Sequence, residues 1–148
     1  MSLYLDTSCL LKLLFPEPES RRVAQLIEAE SSVVVSALAR LEALGQLQAR
    51  VAGGILSAAL ARKLGERLTA LLASEPCELV GFPASAVGLA EAQIRLERRA
   101  PHCRTVDRLH LGAMQALGLR RVLTNDDPQA RVAAALGFTV LLPRHPHR

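Results

Sequence analysis

Apolar positions in this chain fall into short continuous runs separated by longer stretches of helical period. Leu3-Tyr4-Leu5 is an apolar triplet that Asp6 breaks where a helical pattern begins, and it predicts a short buried strand. Leu10, Leu11, Leu13 and Leu14 predict a helical turn that stops at Phe15-Pro16-Glu17-Pro18, because two prolines forbid continuation. From Glu19 to Glu30, Val23, Leu26 and Ile27 form one stripe and Arg21, Arg22, Gln25 and Glu28 stand outside it, which predicts a helix. Ser32–Val35 is the second buried run. Ser36 then reads as the N-cap of a helix reaching about Ala52, ended by Gly53-Gly54. Ile55–Ala73, with Leu56, Leu60, Leu64, Leu68 and Leu71 on one stripe, predicts a second helix paired with it in an αα-hairpin.

Glu78–Phe82 predicts a third strand, closed by Pro83, and Ala84–Arg99 a helix with a basic end. After Ala100-Pro101-His102 comes a helix over Thr105–Leu117, stopped by Gly118. Arg121–Thr124 reads as the fourth strand, Asp127-Pro128 as an N-cap with proline at the first helical position, and Phe138–Leu142 as the last strand after a helix that stops at Gly137. Strands alternating with helices predict an α/β fold: a central, mostly parallel sheet of four to five short strands, covered on both faces in three layers. At 148 residues one domain is expected over residues 1–143, with a basic tail at 144–148.

Composition narrows the function classes. Half the residues are apolar, which excludes a disordered chain. Aromatics make up only 3%, so the stacking platforms that read single-stranded bases are nearly lacking. Lysine and arginine exceed aspartate and glutamate by four, mild support for an anionic partner. Cys9, Cys77 and Cys103 are odd in number and widely separated, which indicates neither a disulfide framework nor a zinc knuckle. No stretch reaches the apolar length of a membrane span, and a cytoplasmic protein with no membrane partner is expected.

Four carboxylates recur where segments leave the C-terminal edge of the predicted sheet, the edge at which ligands bind in open α/β folds. Asp6 ends the first strand, Glu42 lies about two turns into the helix after the second, Asp107 sits in the first turn of the helix from Thr105, and Asp126 ends the fourth strand. Each has an ordinary alternative. Asp6, Thr7 or Ser8 could cap the helix that follows, and Glu42, though flanked by Leu38, Leu41, Ala43 and Leu44, could pair with Arg40. If the four converge, like charges about 4 Å apart repel by roughly 4 kcal/mol per pair at an effective dielectric near 20. Protons or a divalent metal must then intervene. An all-oxygen cluster favours Mg²⁺ or Mn²⁺ over zinc, and such sites commonly serve phosphodiester chemistry.

The combination Tyr4-Leu5-Asp6-Thr7-Ser8, Ser36-x-Leu38-x-x-x-Glu42, Arg104-Thr105-x-Asp107-x-Leu109-His110-Leu111, Leu123-Thr124-x-Asp126 and Ala133-Ala134-x-Leu136-Gly137 resembles the PIN-domain nucleases, specifically the VapC-like toxins of toxin–antitoxin pairs. The resemblance runs from the first strand to the last. It implies a PIN-like α/β/α fold and a metal-dependent endoribonuclease, with Asp6, Glu42, Asp107 and Asp126 as the catalytic, metal-binding acids. Ser8 and Thr124 match positions of small hydroxyls near the metal. The resemblance also implies homodimers, an RNA substrate, and a cognate antitoxin in a groove made partly by the helices around Glu42 and Leu56–Leu71. Of the two aspartates in Asn125-Asp126-Asp127-Pro128, the family's Thr-x-Asp spacing selects Asp126 for the metal, while helix chemistry gives Asp127 the cap.

Arg98, Arg99, Arg104 and Arg108 are candidates to guide an RNA backbone toward the acids, the alternative being a solvated helix end. His110 shares a helical face with Asp107 and reads as a packing residue. Two rivals stand beside the nuclease. A phosphatase that phosphorylates Asp6 would want a second aspartate two residues on, where this chain has Ser8. A non-catalytic RNA- or protein-binding module would not need all four acids.

Overall fold

The computed structural model describes residues 1–96 and 101–144. Strands β1 (Leu3–Leu5), β2 (Val33–Ser36), β3 (Cys77–Val80), β4 (Arg121–Leu123) and β5 (Thr139–Leu141) form one sheet in the order β3-β2-β1-β4-β5, and every pairing is parallel. Helices α1 (Thr7–Lys12), α2 (Ser20–Glu28), α3 (Ala37–Ala52), α4 (Ala58–Leu72), α5 (Ala86–Leu96), α6 (Thr105–Ala116) and α7 (Asp127–Ala135) make the connections.

Alternation along the strands divides the core in two. Leu3, Leu5, Val33, Val35 and Leu123 point to one face, where they meet Cys9 and Leu10 of α1, Val23 and Ile27 of α2, Ala39 and Ala43 of α3, and Leu68 and Leu72 of α4. Tyr4, Val34 and Val122 point to the other, against Leu111 and Met114 of α6 and Val132 and Ala133 of α7. Leu3, Leu5, Leu10, Leu68 and Leu123 are fully buried, each contributing about 1.5–3 kcal/mol. That exceeds what any exposed ion pair supplies, so the strand alternation holds the layers together.

The chain moves from β1 outward to β2 and β3 with α1–α4 on one face, then returns to the far side of β1 for β4 and β5 with α5–α7 on the other. Connections after β1 and β4 therefore part on opposite faces and leave a crevice at the strand ends, the switch point of an open parallel sheet. Two helix ends matter to this return. Gly118 (φ +69°) and Gly137 (φ +88°) take left-handed backbone just before β4 and β5, a conformation that side chains with a Cβ disfavour.

Boundaries depart from the sequence expectation where caps were passed over. Ser57 Oγ accepts from Leu60 N at 3.1 Å, so α4 starts at Ala58 and leaves Ile55 exposed. The cap of α7 is Asp126 and not Asp127: Asp126 Oδ1 accepts from Gln129 N at 2.8 Å. Asp127 turns outward to Arg144 at 2.7 Å, which also ties the first residue of the expected basic tail to the loop. The rest of that tail, with His145 and His147, lies outside the described residues.

Candidate active site

Asp6 follows β1 directly and is only 2% exposed. It caps α1: Oδ2 accepts from Ser8 N at 3.2 Å and from Ser8 Oγ at 2.7 Å. The cap reading and the cleft reading of Asp6 are thus compatible. Its other oxygen, Oδ1, accepts from Gln129 Nε2 at 3.2 Å. Thr124 Oγ1 lies 3.1 Å from Asp6 Oδ2 and donates to Gln129 Oε1 at 2.8 Å, while Asn125 N donates to Ser8 Oγ at 2.9 Å. The two hydroxyls singled out in the sequence, Ser8 and Thr124, both touch the Asp6 carboxylate.

Asp107 enters from the first turn of α6 and is 4% exposed. Arg104, on the solvent side, donates from Nε to Asp107 Oδ2 at 2.9 Å and reaches Asp126 Oδ2 at 3.8 Å. Burial pushes the Asp107 carboxyl above the usual range; the Arg104 hydrogen bond opposes this and the charges of Asp126 and Asp6 add to it.

Glu42 comes from α3, whose buried stripe is Ala39, Ala43 and Leu47. Of the neighbours that argue for its burial, Ala43 is buried and Leu38 half-buried, while Leu41 and Leu44 are exposed; Glu42 itself is half-buried beside the Ala stripe. Its partner is not Arg40. Thr7 Oγ1 donates to Glu42 Oε1 at 2.7 Å, and His110 Nε2 lies 2.5 Å from the same oxygen.

His110 is therefore a polar hub and not a packing residue. It is fully buried, with Nδ1 at 2.6 Å from Tyr4 Oη, which in turn donates to Ser36 Oγ at 3.0 Å. A doubly protonated ring satisfies every partner: Nε2–H to Glu42, Nδ1–H to Tyr4, and the Tyr4 hydrogen onward to Ser36. Burial pulls the imidazole pKa down, but the Glu42 hydrogen bond and the charges of Asp6, Glu42 and Asp107 outweigh it and hold it raised. Burial pushes Tyr4 up as well, so its hydroxyl stays protonated. The Cys9 thiol, buried beside Asp6, is pushed up to about 12 and is unsuited to nucleophilic attack.

Asp6, Glu42, Asp107 and Asp126 line one cleft of about 280 Å³ together with Thr7, Ser8 and Arg104. Among the described residues no three acidic, histidine or cysteine side chains are assembled as a ready ligand shell. Arg104 and His110 instead supply the countercharge. The donor set still fits a hard divalent cation: it consists of carboxylate oxygens, two of them on nearly buried residues, around a space open to solvent. Of the four arginines expected to guide RNA, Arg104 is at the cleft, Arg108 is buried at 7% exposure, and Arg98 and Arg99 lie outside the described residues.

Gln129 was missed. It is fully buried and joins Asp6, Thr124 and the Asp107 carbonyl, which its Nε2 reaches at 3.1 Å. Its signal was present in the sequence, since Asp126-x-x-Gln129 has the spacing of a capping box. Here the glutamine side chain reaches across to the acids and not back to its cap.

A parallel three-layer sheet with an acid-lined cleft at its switch point is an open α/β fold whose ligand site is that cleft. Residues 3–135 match the PIN domain family, and the chain belongs to that family. It is 33% identical over 144 residues to ribonuclease VapC46 of Mycobacterium tuberculosis, covering 96% of this chain and 98% of that protein. Among solved structures it is similar to VapC20 of Mycobacterium tuberculosis, a sarcin-ricin loop cleaving toxin (TM-score 0.68, 17% identity, 93% of this chain and 96% of that one). It is also similar to FitAcB of Neisseria gonorrhoeae (TM-score 0.75, 18% identity, 95% and 97%). At these identities the structural likeness speaks for the fold.

Proposed function

We propose that the chain is a divalent-metal-dependent endoribonuclease, the toxin of a toxin–antitoxin pair. The observation that carries this reading is the convergence of Asp6, Glu42, Asp107 and Asp126, from four separate segments, on one cleft at the switch point. Kinship with a protein named ribonuclease VapC46 supports the same substrate class. The four acids would hold Mg²⁺ or Mn²⁺, which suit carboxylate donors. When bound, such ions supply Lewis acidity for in-line attack of water on an RNA phosphodiester.

The protein's own part is positioning. Ser8, Thr124 and Gln129 lock the Asp6 carboxylate, and Thr7 and His110 lock Glu42. Burial of Asp6 and Asp107 keeps water from screening their charge. Arg104 holds the Asp107 carboxylate from the solvent side of the cleft.

The partners belong to the same proposal. Leu41, Leu44 and Leu60 are exposed along the α3–α4 hairpin beside a groove of about 320 Å³, an apolar face suited to an antitoxin segment. Val87 and Ile94 are exposed at a second cleft, of about 420 Å³, between α5 and α6, a face suited to a second copy in a homodimer. Residues 1–143 form one domain in the same proposal. A cytoplasmic site accords with cysteines that form no disulfide among the described residues, where also no helix is long and apolar enough to cross a membrane.

The test is cleavage of a structured-RNA pool by protein free of antitoxin, with Mg²⁺ or Mn²⁺, with EDTA, and with Asp6→Asn alongside. Cutting that needs the ion and is lost in the variant is expected. Cutting that persists in EDTA or in Asp6→Asn would sink the mechanism.

A further inference from the structure

Two of the arginines that the sequence offers for RNA, Arg98 and Arg99, lie outside the described residues. Arg108 is buried and Arg104 is occupied by Asp107 and Asp126. A different basic surface is tied to the cleft through Arg144. Between α2 and the segment after β5 lies a groove of about 590 Å³, lined by Arg21, Arg22, Gln25 and Arg144, with Pro18 and Pro143 its apolar lining. Arg21, Arg22 and Gln25 are exposed on the polar side of α2, opposite Val23 and Ile27 in the core.

Arg144 joins this groove to the acids. Its Nε donates to Asn125 Oδ1 at 2.9 Å, Nη2 to Asn125 O at 2.7 Å, and Nη1 to Asp127 Oδ1 at 2.7 Å. Asn125 and Asp127 flank Asp126 in sequence, so Arg144 is tied on both sides of a residue whose carboxylate lines the cleft. The acid in its lining, Glu19, shares Lys12 (3.0 Å) with Glu17, and Asp127 is paired with Arg144. One acidic charge of Glu17 and Glu19 remains after Lys12, and Arg21 and Arg22 exceed it, so the groove stays positive.

Building on the ribonuclease reading, we propose that this groove binds the phosphate backbone of the RNA substrate beside the scissile phosphate, with Arg21 and Arg22 on phosphates and Arg144 bracing the Asp126 loop. Its chemistry selects a nucleic-acid backbone over a protein segment. Guanidinium forks match phosphate oxygens, whereas a docking helix needs a row of apolar anchors that two prolines do not provide. With no aromatic among the described residues of its lining, the groove senses charge and not base identity.

The experiment measures binding apart from cleavage. In the Asp6→Asn background, affinity for a labelled mixed-sequence oligoribonucleotide of about 20 nucleotides is followed against salt for the parent, for Arg21→Gln/Arg22→Gln, and for Lys63→Gln/Arg67→Gln, which removes the same charge from exposed positions on α4. Loss of two phosphate contacts should lower the slope of log affinity against log salt by about 1.4 in the first variant and leave the α4 control at the parent value. In protein with Asp6 restored, Arg21→Gln/Arg22→Gln should raise KM for RNA with kcat unchanged. Equal binding by parent and Arg21→Gln/Arg22→Gln, or an equal loss in the α4 control, would overturn the proposal; unchanged RNA binding would leave the groove to an acidic protein segment. RNA held through Arg21 and Arg22 but not cut would instead count against the ribonuclease reading alone.

Discussion

His110 Nε2 lies 2.5 Å from Glu42 Oε1, joining α6 on one face of the sheet to α3 on the other across the strand ends. The contact spans 68 residues of sequence and fixes where one of the four acids stands. In His110→Phe the ring volume is kept, but Glu42 and the Tyr4 hydroxyl lose their shared partner. Such a change should destabilise the fold by about 2–4 kcal/mol, read from urea denaturation midpoints. Destabilisation below about 0.5 kcal/mol would mean that the network is not held in solution.

The same pair sets a pH dependence for the metal-free protein. The folded pKa of His110 is raised above the ordinary imidazole value of about 6.5. Its charged pairing therefore contributes fully below that value and is lost as pH rises through the folded pKa. Thermal midpoints should fall over this window on the alkaline side of 6.5, and His110→Phe should flatten that slope. An identical slope in parent and variant would assign it to other groups.

Gln129 should matter to ion binding more than to folding alone. Gln129→Met keeps most of the volume and removes the amide that holds Asp6 Oδ1 and the Asp107 carbonyl. Mn²⁺ affinity, titrated calorimetrically on metal-free protein, is expected to weaken about 10–100-fold. Unchanged affinity in a folded variant would reduce Gln129 to a packing role.

Gly112 marks the closest approach between α5 and α6. A Cβ built there would stand 2.3 Å from the Ala86 carbonyl oxygen, which is backbone and cannot rotate away. Gly112→Ala should destabilise by about 1–3 kcal/mol as α5 is forced outward, measured as a lowered denaturation midpoint. A neutral result would mean that α5 shifts freely on α6.

Arg121 offers a contrast remote from the cleft. At the start of β4 its guanidinium holds Glu30 in a two-point bridge of 2.9 and 2.6 Å. The hydrogen bond to Arg121 lowers the Glu30 pKa, so this contribution is present above the ordinary glutamate range and fades as pH falls through the folded value. Arg121→Met should cost about 0.5–1 kcal/mol at neutral pH and leave metal affinity unchanged. A change in metal affinity would reveal coupling along β4.

The alternation of short apolar runs with amphipathic stretches determined the strand and helix order and with it a parallel three-layer fold. That signal is local, because each segment's period follows from which of its own side chains must leave water. Asp6, Asp107 and Asp126 were legible for the same reason: each stands at a strand end or in a first helical turn, which sequence order alone sends to one edge of the sheet. The local signal for Glu42 was mixed, since of its apolar neighbours Ala43 is buried and Leu38 half-buried, whereas Leu41 and Leu44 are exposed. What only the tertiary structure decided is which distant groups complete those acids. His110 meets Glu42, Gln129 meets Asp6, Asp126 takes the cap expected of Asp127, and Arg144 closes on Asn125. Each of these pairings depends on the angle at which two helices or loops cross the strand ends. No periodicity records that angle, because it is set by packing between segments far apart in the chain.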